Sequence, residues 1–148
     1  MILVSACLIG INCKYNGDNN KNESVIEYLK GKQYVIACPE QLGGMSTPRE
    51  PSEIIKLDGH AVINGKTSVM NNQRLDVTSK FLKGAEETLK ISKIYNCKKA
   101  ILKEGSPSCG SNYIYDGTFC GNKVAGVGVT TAILRKNGIQ VISEKEIY

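Results

Sequence analysis

Three separate apolar runs in this chain each end in a cysteine. They are Met1-Ile2-Leu3-Val4-Ser5-Ala6-Cys7, Tyr34-Val35-Ile36-Ala37-Cys38-Pro39-Glu40, and Ile101-Leu102-Lys103-Glu104-Gly105-Ser106-Pro107-Ser108-Cys109-Gly110. A short continuous apolar run that stops at a glycine, proline or turn reads as a buried strand opening into a loop. Segments of helical periodicity lie between the runs. This alternation predicts an α/β fold: a Rossmann-like layered domain with a mostly parallel sheet of about four strands. Right-handed crossovers then bring the loops after all three strands to one edge of the sheet, the edge where open α/β sheets bind ligands. Three thiols are thereby directed to one place.

The intervening segments complete the pattern. Residues 8–22 are rich in Gly and Asn and read as a loop that carries Cys13 and Tyr15. A helix over about 23–30 can be capped by Asn22 or Ser24, with Val25, Ile26 and Leu29 facing inward and Gly31 ending it. Gly43-Gly44 permits tight geometry or close approach to a ligand. Between residues 57 and 70, Asn64-Gly65 flanked by Val62-Ile63 and Val69 predicts a small hairpin insertion outside the main sheet. Asp76 can cap a long helix reaching about residue 95, with Val77, Phe81, Ala85 and Leu89 on one stripe. Gly84 inside that helix costs roughly 1 kcal/mol relative to Ala. Gly126-Val127-Gly128 opens a last helix, Asn137-Gly138 terminates it, and residues 139–142 form the fourth strand. Residues 1–148 thus read as one domain.

Composition narrows the chemistry. No apolar run approaches the ~20 residues of a membrane-spanning helix. The start of the chain lacks the basic, apolar and cleavage regions of a signal peptide, which points to the cytoplasm. The net charge of +5 is carried by dispersed lysines, so it is a weak footprint for nucleic acid and favours anionic small molecules. In a reducing compartment the six cysteines point to metal binding or catalysis rather than disulfides.

Cys7, Cys38 and Cys109, with Cys13 as a fourth, could hold zinc or an iron–sulfur cluster. Cys-x2-Cys pairs, the mark of a zinc ribbon, are absent. Cys97 and Cys120 read as small, partly buried hydrophobes. Glu40 could act as acid or base beside a metal, although a solvated or structural carboxylate is the commoner role, and Ser106 and Ser108 could donate hydrogen bonds to a ligand or simply build the turn. Arg49 could clamp a carboxylate or phosphate, and Lys103 could neutralise a buried charge, although surface salt bridging is the commoner role for both. His60, the only histidine, falls in the expected hairpin and reads as exposed. Gly126 and Gly128 suit either an anion at a helix start or close packing. Besides an enzyme, these residues are compatible with a non-catalytic metal- or cluster-binding module, or with a thiol-redox protein exchanging Cys7 and Cys13.

Taken together, several segments carry a resemblance: Ser5-Ala6-Cys7-Leu8-Ile9-Gly10, Cys13-Lys14-Tyr15-Asn16-Gly17, Cys38-Pro39-Glu40 with Gly43-Gly44, Thr47-Pro48-Arg49, Asp76-Val77-Thr78, Ser106-Pro107-Ser108-Cys109-Gly110 and Tyr115-Asp116-Gly117-Thr118-Phe119. In order and over nearly its whole length, the chain resembles a small bacterial family of thiouracil and thiouridine desulfidases. The resemblance implies a [4Fe–4S] cluster held by three cysteines, here Cys7, Cys38 and Cys109, leaving one iron open. Cys13 is the competing ligand or a neighbouring thiol. It further implies a thiopyrimidine substrate, 2-thiouracil or a 4-thiouridine nucleotide, whose sulfur is taken by the open iron. Water activated by Glu40 would attack the ring carbon while Ser106 positions or protonates the pyrimidine. The products of this non-redox hydrolysis would be the oxo-pyrimidine and hydrogen sulfide.

Overall fold

The computed structural model describes residues Met1–Tyr148. In chain order the strands are β1 (Ile2–Ser5), β2 (Tyr34–Ala37), β3 (Ser52–Ile54), β4 (Val69–Asn71), β5 (Lys99–Leu102), β6 (Tyr113–Tyr115), β7 (Lys123–Ala125) and β8 (Gln140–Ser143). The α-helices are α1 (Glu23–Leu29), α2 (Pro39–Leu42), α3 (Gly59–Ile63), α4 (Thr78–Ile94) and α5 (Val129–Lys136). The main sheet has the order β2-β1-β5-β8, and every neighbouring pair is parallel. The strand order places β1 and β5, which end towards Cys7 and Cys109, at its centre.

The apolar runs are continuous because both faces of the central strands are covered. Leu3, Ala100, Leu102 and Val141 share one core with Leu134 of α5, with Leu89 and Ile91 of α4 packed against it. Val4 and Ile101 alternate to the opposite face and pack with Val25 and Leu29 of α1. Local signals set the helix boundaries. The Asn22 side chain accepts from the Val25 amide at 3.0 Å, and Asp76 accepts from the Thr78 amide at 2.9 Å. These bonds satisfy amides that a helix N-terminus otherwise leaves unpaired.

Gly84 has a packing reason that its helix propensity conceals. A Cβ there would lie 2.0 Å from the Pro39 carbonyl oxygen, and one on Gly43 would lie 2.1 Å from that of Lys80. The two glycines let α2 lie directly on α4. The close approach at Gly43 is therefore to a helix rather than to a ligand.

The insertion is antiparallel, but its strands are β3 and β4. Val62 and Ile63, expected to be extended, belong to α3. The reason is a cap and a core: Asp58 accepts from the His60 amide at 3.1 Å, and Val62 packs with Ile54, Val69 and Phe81. Asn64 ends this helix, and Gly65 turns at φ +73°. A second antiparallel pair, β6 and β7, is joined through a loop that contains Asp116-Gly117. No helix is long and apolar enough to cross a membrane.

Candidate active site

At the carboxyl edge of the main sheet, Cys7, Cys13, Cys38 and Cys109 line one cavity of about 450 Å³ together with Glu40, Arg49 and Ser106. Cys7 lies in a 3-10 turn, Ala6–Ile9, directly after β1. Cys38 follows β2 and caps the start of α2, and Cys109 returns to the edge on the turn after β5. Cys13 comes from the loop before α1. Its thiol is within hydrogen-bonding reach of both Cys7 and Cys38.

The Cys109 turn is fixed by hydrogen bonds from several directions. The Gly110 amide donates to the Ser106 carbonyl at 2.9 Å. The Ser106 Oγ accepts from the Ser108 and Cys109 amides at 3.1 and 3.2 Å. Two amides occupy its acceptor positions, so the Ser106 hydroxyl is left as a donor. It lies 2.8 Å from the Ser108 Oγ, which in turn donates to the Cys109 Sγ at 3.5 Å. From behind, the amides at the start of α5 bind the turn: Val129 donates to the Pro107 carbonyl and Thr130 to that of Ser108. The Thr131 hydroxyl donates to the Cys109 carbonyl at 2.9 Å. A Cβ on Gly128 would lie 2.4 Å from the Ser108 carbonyl carbon. The glycine pair before α5 thus serves close packing, and the helix amides are taken by the turn itself.

The thiols differ in environment. Burial pushes Cys109 up to about 12, against hydrogen bonds from Ser108 and Ser5. Ser5 is buried, accepts from the Lys103 amide at 3.0 Å and donates to the Cys109 Sγ at 3.7 Å. Cys38 is lowered to about 6, chiefly by a hydrogen bond from Cys13, with the Gln41 amide and Arg49 acting in the same direction against burial. Cys7 is also lowered, first by Cys13, whereas Cys13 itself is raised by its two thiol neighbours and burial. Metal coordination removes a thiol proton outright, so the elevated Cys109 is no obstacle to ligation.

Glu40 sits in the first turn of α2, and its Oε2 accepts from Arg49 Nη2 at 2.5 Å. The Arg49 and Glu40 side chains are only 6% and 17% exposed. The same guanidinium reaches the Cys13 carbonyl at 2.8 Å and the Thr47 Oγ1 at 3.0 Å, while the Arg49 amide donates to the Tyr15 carbonyl. Arg49 thus joins the Cys13 loop to the Glu40 helix, and the carboxylate it clamps belongs to the protein. Glu40 Oε1 accepts no hydrogen bond from the protein and is free to hold water.

Lys103 pairs with Glu144, whose side chain is 7% exposed, at 2.9 Å. Cys97 is buried in the core, Cys120 is exposed, and His60 is exposed on α3. None of the three lines the cavity. Tyr113 and Tyr115 of β6 do line it, a contribution hidden in sequence by the shortness of that strand. Ser5 and Glu104 were also not singled out by sequence. Ser5 looks like one more small residue in an apolar run, and Glu104 looks like a solvated charge beside Lys103.

No three His, Cys, Asp or Glu side chains converge closely enough to hold a single metal ion. An all-sulfur donor set around a cavity of this size, with hydroxyls bonded to one sulfur, suits an iron–sulfur cluster. A parallel α/β sheet with four thiols gathered at its carboxyl edge defines an α/β protein with a thiol-lined site, placed where open sheets of this class bind ligands. The particular family follows from comparison. Residues 2–146 match the model of the 2-thiouracil desulfurase family, and the chain belongs to that family. It is 50% identical over 147 residues to the uncharacterized protein YbbK of Bacillus subtilis (strain 168), covering 99% of this chain and 97% of the relative. It is also similar to a solved structure described as the [4Fe-4S]-dependent thiouracil desulfidase TudS. That likeness has a TM-score of 0.84 and 41% identity, covering 99% of this chain and 91% of the other.

Proposed function

We propose that this chain is a [4Fe–4S]-dependent desulfidase that converts a thiolated pyrimidine and water into the oxo-pyrimidine and hydrogen sulfide. The observation that supports this most is the gathering of three strand-end thiols, Glu40 and Ser106 around one cavity. Cys7, Cys38 and Cys109 would hold the cluster, with Cys13 beside them as a neighbouring thiol. The protein would act in the cytoplasm on a small molecule rather than on a nucleic acid. When bound, the cluster supplies a Lewis-acidic open iron for the thiocarbonyl sulfur.

The residues divide the remaining work. Arg49 holds Glu40 through Oε2, which leaves Oε1 to orient a water and take its proton. Ser106, its acceptor positions filled by two amides, would turn its hydroxyl proton from the Ser108 Oγ to the ring of a bound pyrimidine. Attack of water at the thiocarbonyl carbon forms the new C–O bond. Loss of sulfide breaks the C–S bond, and the protons from water leave with the sulfide.

Anaerobic reconstitution followed by incubation with 2-thiouracil or 4-thiouridine monophosphate should release sulfide. A fully loaded cluster that yields sulfide from neither compound would overturn the reading. Glu40→Gln should lower turnover by about 100-fold or more with the cluster's visible spectrum intact, as expected for loss of a general base.

A further inference from the structure

Glu104 lies between β5 and the Ser106–Cys109 turn, and it is 4% exposed. Buried carboxylates are rare without partners, and this one has several. Its Oε1 accepts from the Ser111, Asn112 and Tyr113 amides at 2.8, 3.0 and 3.3 Å, and from the Gly105 amide at 3.4 Å. Its Oε2 accepts from Asn112 Nδ2 at 2.7 Å and from Ser111 Oγ at 3.4 Å. These donors stand on both sides of Cys109 in the chain. The carboxylate therefore closes the segment 105–113 into a ring around one charge, with Ser106 and Cys109 carried on that ring.

The base of the ring is tied to the sheet as well. The Glu104 amide donates to Glu144 Oε2 at 2.8 Å, and Lys103 Nζ bridges Glu144 Oε1 and the Glu104 carbonyl. On its far side the turn rests on the start of α5. The Cys109 turn is thus held between a buried charge and a helix terminus, with the thiol directed into the cavity. Glu104 forms part of the cavity wall, but its accepting positions are already occupied by the loop, so it serves the proposed chemistry as neither donor nor base.

We propose that Glu104 is a positioning residue, whose carboxylate sets the placement of the Cys109 thiol and the Ser106 hydroxyl by binding both limbs of their loop. The proposal rests on the assignment of Cys109 as a cluster ligand. Glu104→Gln keeps the shape of the side chain but removes the charge and turns one acceptor into a donor facing Ser111 and Asn112. Loss of a partner that orients a metal ligand costs about 10- to 100-fold in metal retention.

The test compares reconstituted wild type, Glu104→Gln and Val69→Ala, the last being a truncation in the core that the β3–β4 insertion shares with α4 and the start of α5, which calibrates the effect of a general loss of stability. Iron release to an added chelator should be about 10- to 100-fold faster in Glu104→Gln than in Val69→Ala. The cluster's visible circular dichroism should change in Glu104→Gln alone. In parallel, hydrogen exchange of the Ser111, Asn112 and Tyr113 amides should accelerate in Glu104→Gln whether or not the cluster is present. Release no faster than in Val69→Ala, with those amides exchanging as in wild type, would overturn the proposal. A wild type that takes up no cluster would instead overturn the ligand assignment, and the exchange measurement would still decide the role of Glu104 in the loop. If Glu104→Gln fails to fold, Asn112→Ala removes the shortest side-chain contact to Glu104 and should show the same ordering of effects.

Discussion

Arg49 and Glu40 show how a single buried contact can govern the orientation of the proposed base. Glu40 would be a poor choice of base if its carboxylate could rotate freely, and Arg49 prevents that while also gripping the Cys13 carbonyl. Lysine retains the charge but has one compact ammonium in place of a planar fork. Arg49→Lys should therefore reduce kcat by about 100-fold, the scale of a 1 Å misplacement, with a much smaller change in KM. Steady-state kinetics on a thiopyrimidine would check this, and rates equal to wild type would refute it. Glu104 makes a separate prediction in acid. Burial alone would raise its pKa, but the hydrogen bonds from Asn112, Ser111 and Tyr113 hold it at about 2, below the ordinary 4.5. A carboxyl lowered on folding contributes stability that is complete above 4.5 and is lost as pH falls towards about 2. The urea midpoint of the cluster-free protein should drop across that interval, and the drop should be shallower in Glu104→Gln.

Among the elements, the contact of α2 on α4 positions both Cys38 and Glu40, since both belong to the strand-to-helix junction carried by α2. Gly84→Ala improves intrinsic helix propensity yet forces a methyl onto the Pro39 carbonyl. The packing penalty should prevail, with a net loss of about 1–3 kcal/mol in chemical denaturation and reduced iron content after reconstitution. A stabilised variant would contradict this account. The four main strands were legible because burial on both faces demands uninterrupted apolar runs, and the thiols were legible because they sit where those runs stop. Residues 59–63 were not, since Asn64-Gly65 is locally as good a helix stop as a hairpin turn. What decides between them is the packing of Val62 against Phe81 and Val69, residues brought together only by the fold. Glu104 was hidden for a related reason. Its main donors are backbone amides, which every sequence possesses, so its residue type alone gives no indication of the ring it closes.

On the scale of the whole molecule, the proposed ligands tie together three segments that the sheet aligns but that continue into separate loops. A cluster bound by all three favours the folded chain by mass action, because the unfolded chain offers no preformed site. Anaerobic melting should therefore show a higher Tm with the cluster loaded than after chelation, and equal values would argue against a shared ligand set. The strand order β2-β1-β5-β8 bears on when that set can exist at all. Cys7 and Cys38 are synthesised early, but Cys109 takes its place only after β5 pairs with β1 and residues 128–131 grip its turn from behind. A chain emerging from the ribosome only as far as α4 can offer only part of the proposed thiol set, so a cluster held by all three cysteines would be completed only after α5 has been made.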